Sequence, residues 1–568
     1  MKKQAKCFAV LMAAALTVGS LVGCGGTTTA VDENTITIKC VRAGFGTDWL
    51  YDLKGKFEAA YAAEGYKVNI LTPDRSIEGN TVIKELARGY DTIKVDLYIT
   101  ASATADKVGA YGDYGVLVED IEEIVYNQPA ISYDGTEESV LISDKLSKDV
   151  VPFTKDSTGT MYGFNWVQSA GGLVVNTRKL AQYGLEIPKT TNEMFDCFEK
   201  IYCGYNGVGN SIQSRTYPLT YVPGNNGYAV CFLNALMAQY DEAFYDEFWS
   251  FESVDAEGIV TEMSENGYEL FNHPAVYEML NVAYRTFDRM ISAPGSTNQT
   301  LDQAQAKVMG DNNGAVFMFN GDWMLNEVKL NYKNKLHDID FVNFPVTSAL
   351  GVKLFGEGTA YNKSEAECDE LLSTIIGLVD ENKDVDTIVA DLAAQSITVA
   401  KEDVAEVARA RGVSYSRGIE HMAYITKGTT KLDIATKFYR MMASDDFGKS
   451  FSVLANGTTP YYAQENTTSE YAFVKNASKV MANQHFSLIS SGALGYRKKM
   501  NVGHMFTTQT HIPDYITSKS SASIFTKDGA MSGETIAIYA NLAKSLQTEE
   551  YNNVKKNWET YKTLAGTN

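Results

Sequence analysis

The chain has 568 residues, 50 Lys plus Arg against 70 Asp plus Glu, and a formal net charge of −20. That length implies more than one core-forming unit, and an acidic balance without basic clusters argues against nucleic-acid partners. Seven cysteines, no two of them separated by two residues, fit neither a zinc ribbon nor a disulfide scaffold, and beyond the N-terminal leader no apolar run approaches the roughly 18 residues that a membrane-spanning helix requires.

The N-terminus carries Lys2, Lys3 and Lys6, then an apolar segment from Phe8 to Val18, then small residues. This is the layout of a signal peptide, assigned to 1–23. It ends in Leu21-Val22-Gly23-Cys24, which resembles the bacterial lipobox, and the resemblance implies a diacylglycerol on Cys24. Two acyl chains hold a protein at a membrane where one is marginal. Residues 24–34, rich in Gly, Thr and acids, read as a flexible tether.

From Thr35 the pattern alternates: Ile36, Ile38 and Cys40 fall on one face and Thr37 and Lys39 on the other, as in a half-buried strand. Leu50, Leu53, Phe57 and Tyr61 recur at helical spacing. Val68 with Ile70, then Val82, Ile83 and Leu86, then Val95 to Ile99 continue as strand, helix and strand. This order predicts a largely parallel sheet covered by helices. A second set starts near Met161, with a strand at Gly172 to Asn176 and a helix start at Pro188 to Glu193, where Thr can cap free backbone N–H groups. Gly314 to Phe319 is a further strand, 364–411 an acidic, Ala-rich helical insert, and HMAYITKG from His421 a return to strand. Near the C-terminus Tyr551, Val554, Trp558 and Tyr561 share one helical face.

Several blocks in order carry a family resemblance. YGFNW, then GGLVVNTRKLAQYGLEIPKTTNEMFD (Gly171 to Asp196), GDNNGAVFMFNGDWMLNEV, FVNFPV and ATKFYRMMASDDFGKSFSVLANGTTPYY resemble the motifs of extracellular solute-binding proteins of family 1, the carbohydrate-binding branch that includes maltose-binding protein. The resemblance implies an α/β protein with the two-lobed, periplasmic-binding-protein-like fold (type II, Venus-flytrap), carrying a helical insert and C-terminal helices. Its divisions are 35–162 as the first part of lobe 1 and 163–355 as lobe 2. Residues 356–458 return to lobe 1, insert included, and 459–568 form a helical region packing mainly on lobe 2. It further implies a monomer that captures a carbohydrate, an oligosaccharide, in the cleft and hands it to the permease subunits of an ABC importer, without catalysis, cofactor or metal. The insert is longer than the family's usual connection, the last hundred residues match no family motif, and Val175 stands where a tyrosine usually precedes the asparagine.

One feature is visible without the family. Asp-Trp occurs twice at a strand-to-helix turn, as Thr47-Asp48-Trp49-Leu50 and Gly321-Asp322-Trp323-Met324. Ligands of α/β sheets sit at such turns; Asp48 and Asp322 can accept from sugar hydroxyls, and Trp49 and Trp323 offer flat apolar faces to a pyranose. The competing role for each pair is helix cap and core. Asn165-Trp166, at the start of the second set, is a third candidate. Glu357, between two glycines, is a fourth, read as part of a hinge. Phe45, Tyr162, Tyr361 and Tyr461 fall in turns or near crossings and rank below these. Asp380 to Asp391 has the spacing of a calcium loop, but Val385 replaces the required glycine and the context is helical, so a solvated acidic face is favoured. A peptide or polyamine ligand, a role reporting to a sensor, and a glycoside hydrolase using Asp48, Asp322 or Glu357 remain the alternatives.

Overall fold

The computed structural model describes residues 32–566 except 43, 72–79, 102–104, 106–107, 109–115, 147–149, 157, 206–215, 223–227, 255–259, 290, 312–313, 416–420, 463, 485, 489–494, 501, 503–511, 514 and 517–532. Cys24, with the leader and most of the tether, lies outside them. The strands in chain order are β1 (Thr35–Cys40), β2 (Lys67–Ile70), β3 (Leu97–Ile99), β4 (Pro129–Ile131), β5 (Glu137–Leu141), β6 (Phe164–Asn165), β7 (Gly171–Asn176), β8 (Tyr217–Thr220), β9 (Glu252–Val254), β10 (Val260–Met263), β11 (Ala315–Gly321), β12 (Ile339–Val342), β13 (Val413–Tyr415), β14 (Met422–Ile425) and β15 (Phe486–Leu488).

Two sheets form the cores of two lobes. The first has the order β2-β1-β3-β14-β6; the second has β15-β13-β7-β11-β8, with β12 also on β7. Among the described strands each sheet has one reversed member, β14 in the first and β7 in the second, so both are otherwise parallel as expected. β2 and β3 run parallel to β1, but β14 runs antiparallel to both β3 and β6, and β11 and β12 are both antiparallel to β7. β14 reaches its sheet directly from the other lobe, so no helical crossover within its own lobe fixes its direction.

Strand alternation matches burial where the sheet has one covered face: in β1 Ile36, Ile38 and Cys40 are buried and the residues between them half-buried. β7 and β11 are buried along their whole length, as expected of strands covered on both faces. The helix Asp48–Ala60 buries Trp49, Leu50, Leu53 and Phe57 on one stripe against lobe 1.

Among the described residues the chain passes between lobes three times. Residues 166–170 join β6 to β7, and the second passage lies between β13 and β14, ending at His421. The third crossing joins the helix Asp445–Leu454, which packs on the lobe 1 helix Asp48–Ala60, to the helix Ala472–Ala482, which packs on β12. The crossings lie side by side: Gln168 N donates to Thr458 O at 2.8 Å, and Trp166 N donates to His421 O at 3.2 Å.

The return to lobe 1 therefore comes between β13 and β14, not at 356. Helices Glu365–Asp380, Val385–Ala394 and Lys401–Gly412 share a core with Val346, Leu350 and Phe355, and β13 pairs with β7, so the insert stays with lobe 2. An amphipathic pattern shows which face of a helix is buried but not which lobe covers it. The helix Gly533–Lys556 packs on Pro274–Thr286, and Trp558 sits edge-on to Phe251. Cys40, Cys197, Cys231 and Cys368 are buried, and burial raises the thiols of Cys40 and Cys197 to about 12. Among the described residues no helix is long and apolar enough to cross a membrane.

Candidate functional site

The three crossings bring both lobes together at one boundary. After β1 the chain turns through Gly44 and Phe45; after β11 it turns through Asp322 and Trp323. The two turns meet: a Cβ on Gly44 would stand 3.1 Å from Trp323 Cβ. Trp323 folds its ring back over Gly321, where a Cβ would lie 2.2 Å from Trp323 Cη2, so only glycine permits this placement. The ring centroid of Tyr228 is 5.6 Å from that of Trp323. On the lobe 1 side Phe45 meets Trp166 and His421 edge-on, each at 6.3 Å, and His421 is half-exposed.

Asp322 extends the β7–β11 ladder by one residue. Its N–H donates to Ala170 O at 3.0 Å, and its Oδ1 accepts from Ala170 N at 3.1 Å. The residue is 1 % exposed. Its Oδ2 has no hydrogen-bond partner among the described residues. Burial pushes the carboxyl up to about 8, against the smaller lowering effect of the backbone donors of Ala170, Asp322 and Trp323. At neutral pH most copies hold a proton, and the carboxyl can donate as well as accept. Beside it Asn326 Nδ2 donates to Ala455 O at 2.6 Å, and Asn456 Nδ2 donates to Asn326 Oδ1 at 2.9 Å, tying the Asp-Trp turn to the third crossing.

The other Asp-Trp pair does something else. Trp49 is 1 % exposed and stacks on Trp166 with centroids 5.2 Å apart and planes 20° apart, edged by Phe447 and Phe451. Its Nε1 donates to Gly46 O at 3.1 Å, so its polar edge is satisfied within its own turn. Trp166 is equally enclosed, with Nε1 on Thr100 O at 2.8 Å. The expectation that Trp49 and Trp166 present open faces is corrected: stacking two indoles removes one face of each, and the third-crossing helix covers the rest. Asp48 is exposed in the first turn of its helix, where a negative charge suits the helix dipole, and Thr47 precedes it as the cap residue without a side-chain cap bond. Asn165 is buried and donates from Nδ2 to His421 O at 3.1 Å, a bond that joins the first crossing to the second.

Glu357 is exposed in a turn between helices Ser348–Phe355 and Glu365–Asp380, both on lobe 2. The hinge reading of Gly356-Glu357-Gly358 is corrected, because no lobe crossing occurs there. Tyr361 donates to Asp403 at 2.5 Å and accepts from Ala400 N at 2.8 Å inside the insert, while Tyr461 meets Tyr126 at 3.3 Å in lobe 1. The acids of the calcium-like stretch each have another partner: Asp380 takes Arg411, Asp384 caps the next helix through Thr387 N, and Asp391 takes Lys383. Residues the sequence did not single out are Gly44, Tyr228, His421, Asn326 and Asn456. The Gly-Phe-Gly turn after β1 was the available signal for the first; contacts between lobes were needed for the rest.

Two lobes built on mixed sheets, with three adjacent crossings and a site where strand-end turns from both lobes meet, define a periplasmic-binding-protein-like fold. No protein-family model and no curated sequence matches the chain. Solved structures are similar to it. The apo form of RafE from Streptococcus pneumoniae aligns with 90% of this chain and 98% of its own, at a TM-score of 0.51 and 11% identity. A chitin oligosaccharide binding protein aligns over 91% and 99%, at 0.49 and 13%. A Thermus thermophilus maltotriose binding protein bound with maltotriose aligns over 90% and 99%, at 0.45 and 12%. At such identities the likeness is one of fold, and it rests on the first of these.

Proposed function

We propose that this chain is a solute-binding protein that captures a carbohydrate, an oligosaccharide, between its lobes and delivers it to an ABC importer without chemical change. The observation that carries this reading is the Asp322-Trp323 turn: a buried carboxyl with one unpartnered oxygen, next to an indole that touches the opposite lobe. A carbohydrate offers hydroxyls to the first and an apolar C–H face to the second. Trp323 is 6 % exposed, so this arrangement is closed, and a ligand enters by opening about the three crossings. Contacts made only in the closed state then shift the population toward closure.

The raised Asp322 carboxyl, largely protonated at neutral pH, favours an uncharged ligand over a polyamine. The reading includes a lipid anchor at Cys24, placing the protein on the extracytoplasmic face of the membrane as a monomer; the leader sequence supports that part alone. A thermal-shift screen over glycans, peptides and polyamines tests it. A glycan at 100 times its Kd adds about 2.7 kcal/mol of stability. A shift confined to peptides or polyamines, or sustained hydrolysis of the glycan by pure protein, overturns it.

A further inference from the structure

Away from the lobe boundary, a cavity of about 600 Å³ lies where the helical insert meets lobe 2. Its floor is the end of β12, Phe341 to Asn343; one wall is the insert around Val379 to Val385 and Ala405 to Gly412; the other is the helix Ala472–Ala482 and the turn after it. The volume is in the range of small-molecule sites.

The charged groups in this lining already have hydrogen-bond or ion-pair partners. Arg411 is bidentate on Asp380, with Nε to Oδ1 at 2.9 Å and Nη2 to Oδ2 at 2.8 Å. Lys479 donates to the Asp380 carbonyl. Lys383 lies 2.8 Å from both Glu381 and Asp391, and Arg409 is spent on Glu406 and the carbonyls of Ala238 and Gln239. Asp384 has an oxygen on Thr387 N. A charged ligand would have to break one of these pairs, whereas a neutral one would not.

What the lining leaves over is amide chemistry. Asn343 donates from Nδ2 to Arg411 O at 3.0 Å, but its Oδ1 has no partner among the described residues, although the residue is only 8 % exposed. An unmet buried acceptor is destabilising, and a ligand donor that reached it would relieve that. At the rim Asn483 Nδ2 bonds Asn382 Oδ1 at 3.1 Å, bridging the two walls, and Asn476 Nδ2 holds Asp340 at 2.8 Å. Between these amides Val379, Val385, Ala408 and Val480 supply apolar surface.

The geometry points to a second binding site, in the cavity between the helical insert and the helix Ala472–Ala482, for a small neutral molecule bearing hydroxyl or amide groups. It does not rest on the reading of the lobe boundary. The test is hydrogen–deuterium exchange of the full chain with myo-inositol and N-acetylglucosamine, and with spermidine and inorganic phosphate as charged controls. A neutral probe slows exchange in 379–385 and 476–483, on the order of tenfold at saturation. Ala408→Trp, which fills the cavity from a half-buried helix position, abolishes that protection and leaves any protection at 321–323 unchanged. Asn483→Ala, at an exposed position, weakens the probe's affinity on the order of threefold or more. The proposal is overturned if neither neutral probe protects these segments in the wild type, if protection survives in both variants, or if the charged probes protect more strongly.

Discussion

The dipeptide Asp-Trp closes a strand-to-helix turn in each lobe, yet the two copies have opposite fates. In lobe 1 the tryptophan is turned inward, stacked on Trp166 and capped by Phe447 and Phe451, and the aspartate faces solvent. In lobe 2 the aspartate is turned inward against Ala170, and the tryptophan lies across Gly321 at the boundary with Gly44. The backbone decides the difference. Trp49 begins a long helix whose first buried stripe position it occupies, whereas Asp322 continues a strand ladder for one more residue, which places its side chain inside and leaves Trp323 at the edge. Identical local chemistry thus yields a core residue in one lobe and a candidate ligand platform in the other.

Breaking the inward tryptophan should have the largest effect on stability. Trp49→Ala is expected to cost about 3–5 kcal/mol in urea unfolding, as for other large-to-small core changes. Trp323→Ala removes a ring that is 6 % exposed and should also destabilise, but it should lose the glycan-induced thermal shift, which Trp49→Ala should keep in its folded fraction. Loss of the shift in both variants or in neither would erase the distinction. Next comes Gly321→Ala, which keeps every side chain but denies the Trp323 ring its place; because the methyl would meet the ring at 2.2 Å, we expect a loss of about 1–3 kcal/mol together with weakened glycan binding. Unchanged binding would mean that the position of the ring does not matter.

Asp322 makes a prediction about pH. Its carboxyl titrates at about 8 when folded and near the ordinary 3.8 when unfolded, so the folded state holds more protons between those values. The stability it contributes is fully present below about 4 and is lost as pH rises through 8. Asp322→Asn should therefore flatten the decline in stability between pH 5 and about 8 relative to the wild type; Asp246, Glu278 and Glu550, also raised by burial, titrate in the same window and are unchanged in both proteins. Parallel curves would show that Asp322 is ionised in the folded protein. The smallest effects belong to Asp48→Ala and Glu357→Ala. Both residues are exposed, and their variants should stay within about 0.5 kcal/mol of wild type with unaltered glycan binding.

Much of the secondary structure was legible because its signal is local. The alternation in β1, the stripe on Asp48–Ala60 and the apolar run of β11 each report burial over a few residues. The shared face of Val554 and Trp558 is likewise buried, although the helix breaks between them at Asn557. The direction of β14 and the attachment of the insert to lobe 2 were not legible, since both depend on where the chain crosses. Gly356 and Gly358 offered a plausible hinge; the crossing ends instead at His421, after a stretch whose glycine, Gly418, was not distinguished from many others. The site was half legible for the same reason. Strand-end turns announced Asp322 and Trp323, but only contacts between lobes separate Trp323 at the boundary from Trp49 and Trp166 in the core.

The most direct test is calorimetric titration of the glycan giving the largest thermal shift into wild-type protein and Trp323→Ala, with urea unfolding of both as a control. Saturable binding to the wild type, and at least tenfold weaker binding to a variant that remains folded, is the predicted result, in line with loss of about 1.4 kcal/mol or more. Equal affinities in two folded proteins would contradict the assignment of the Asp322-Trp323 turn as the place where the ligand is held.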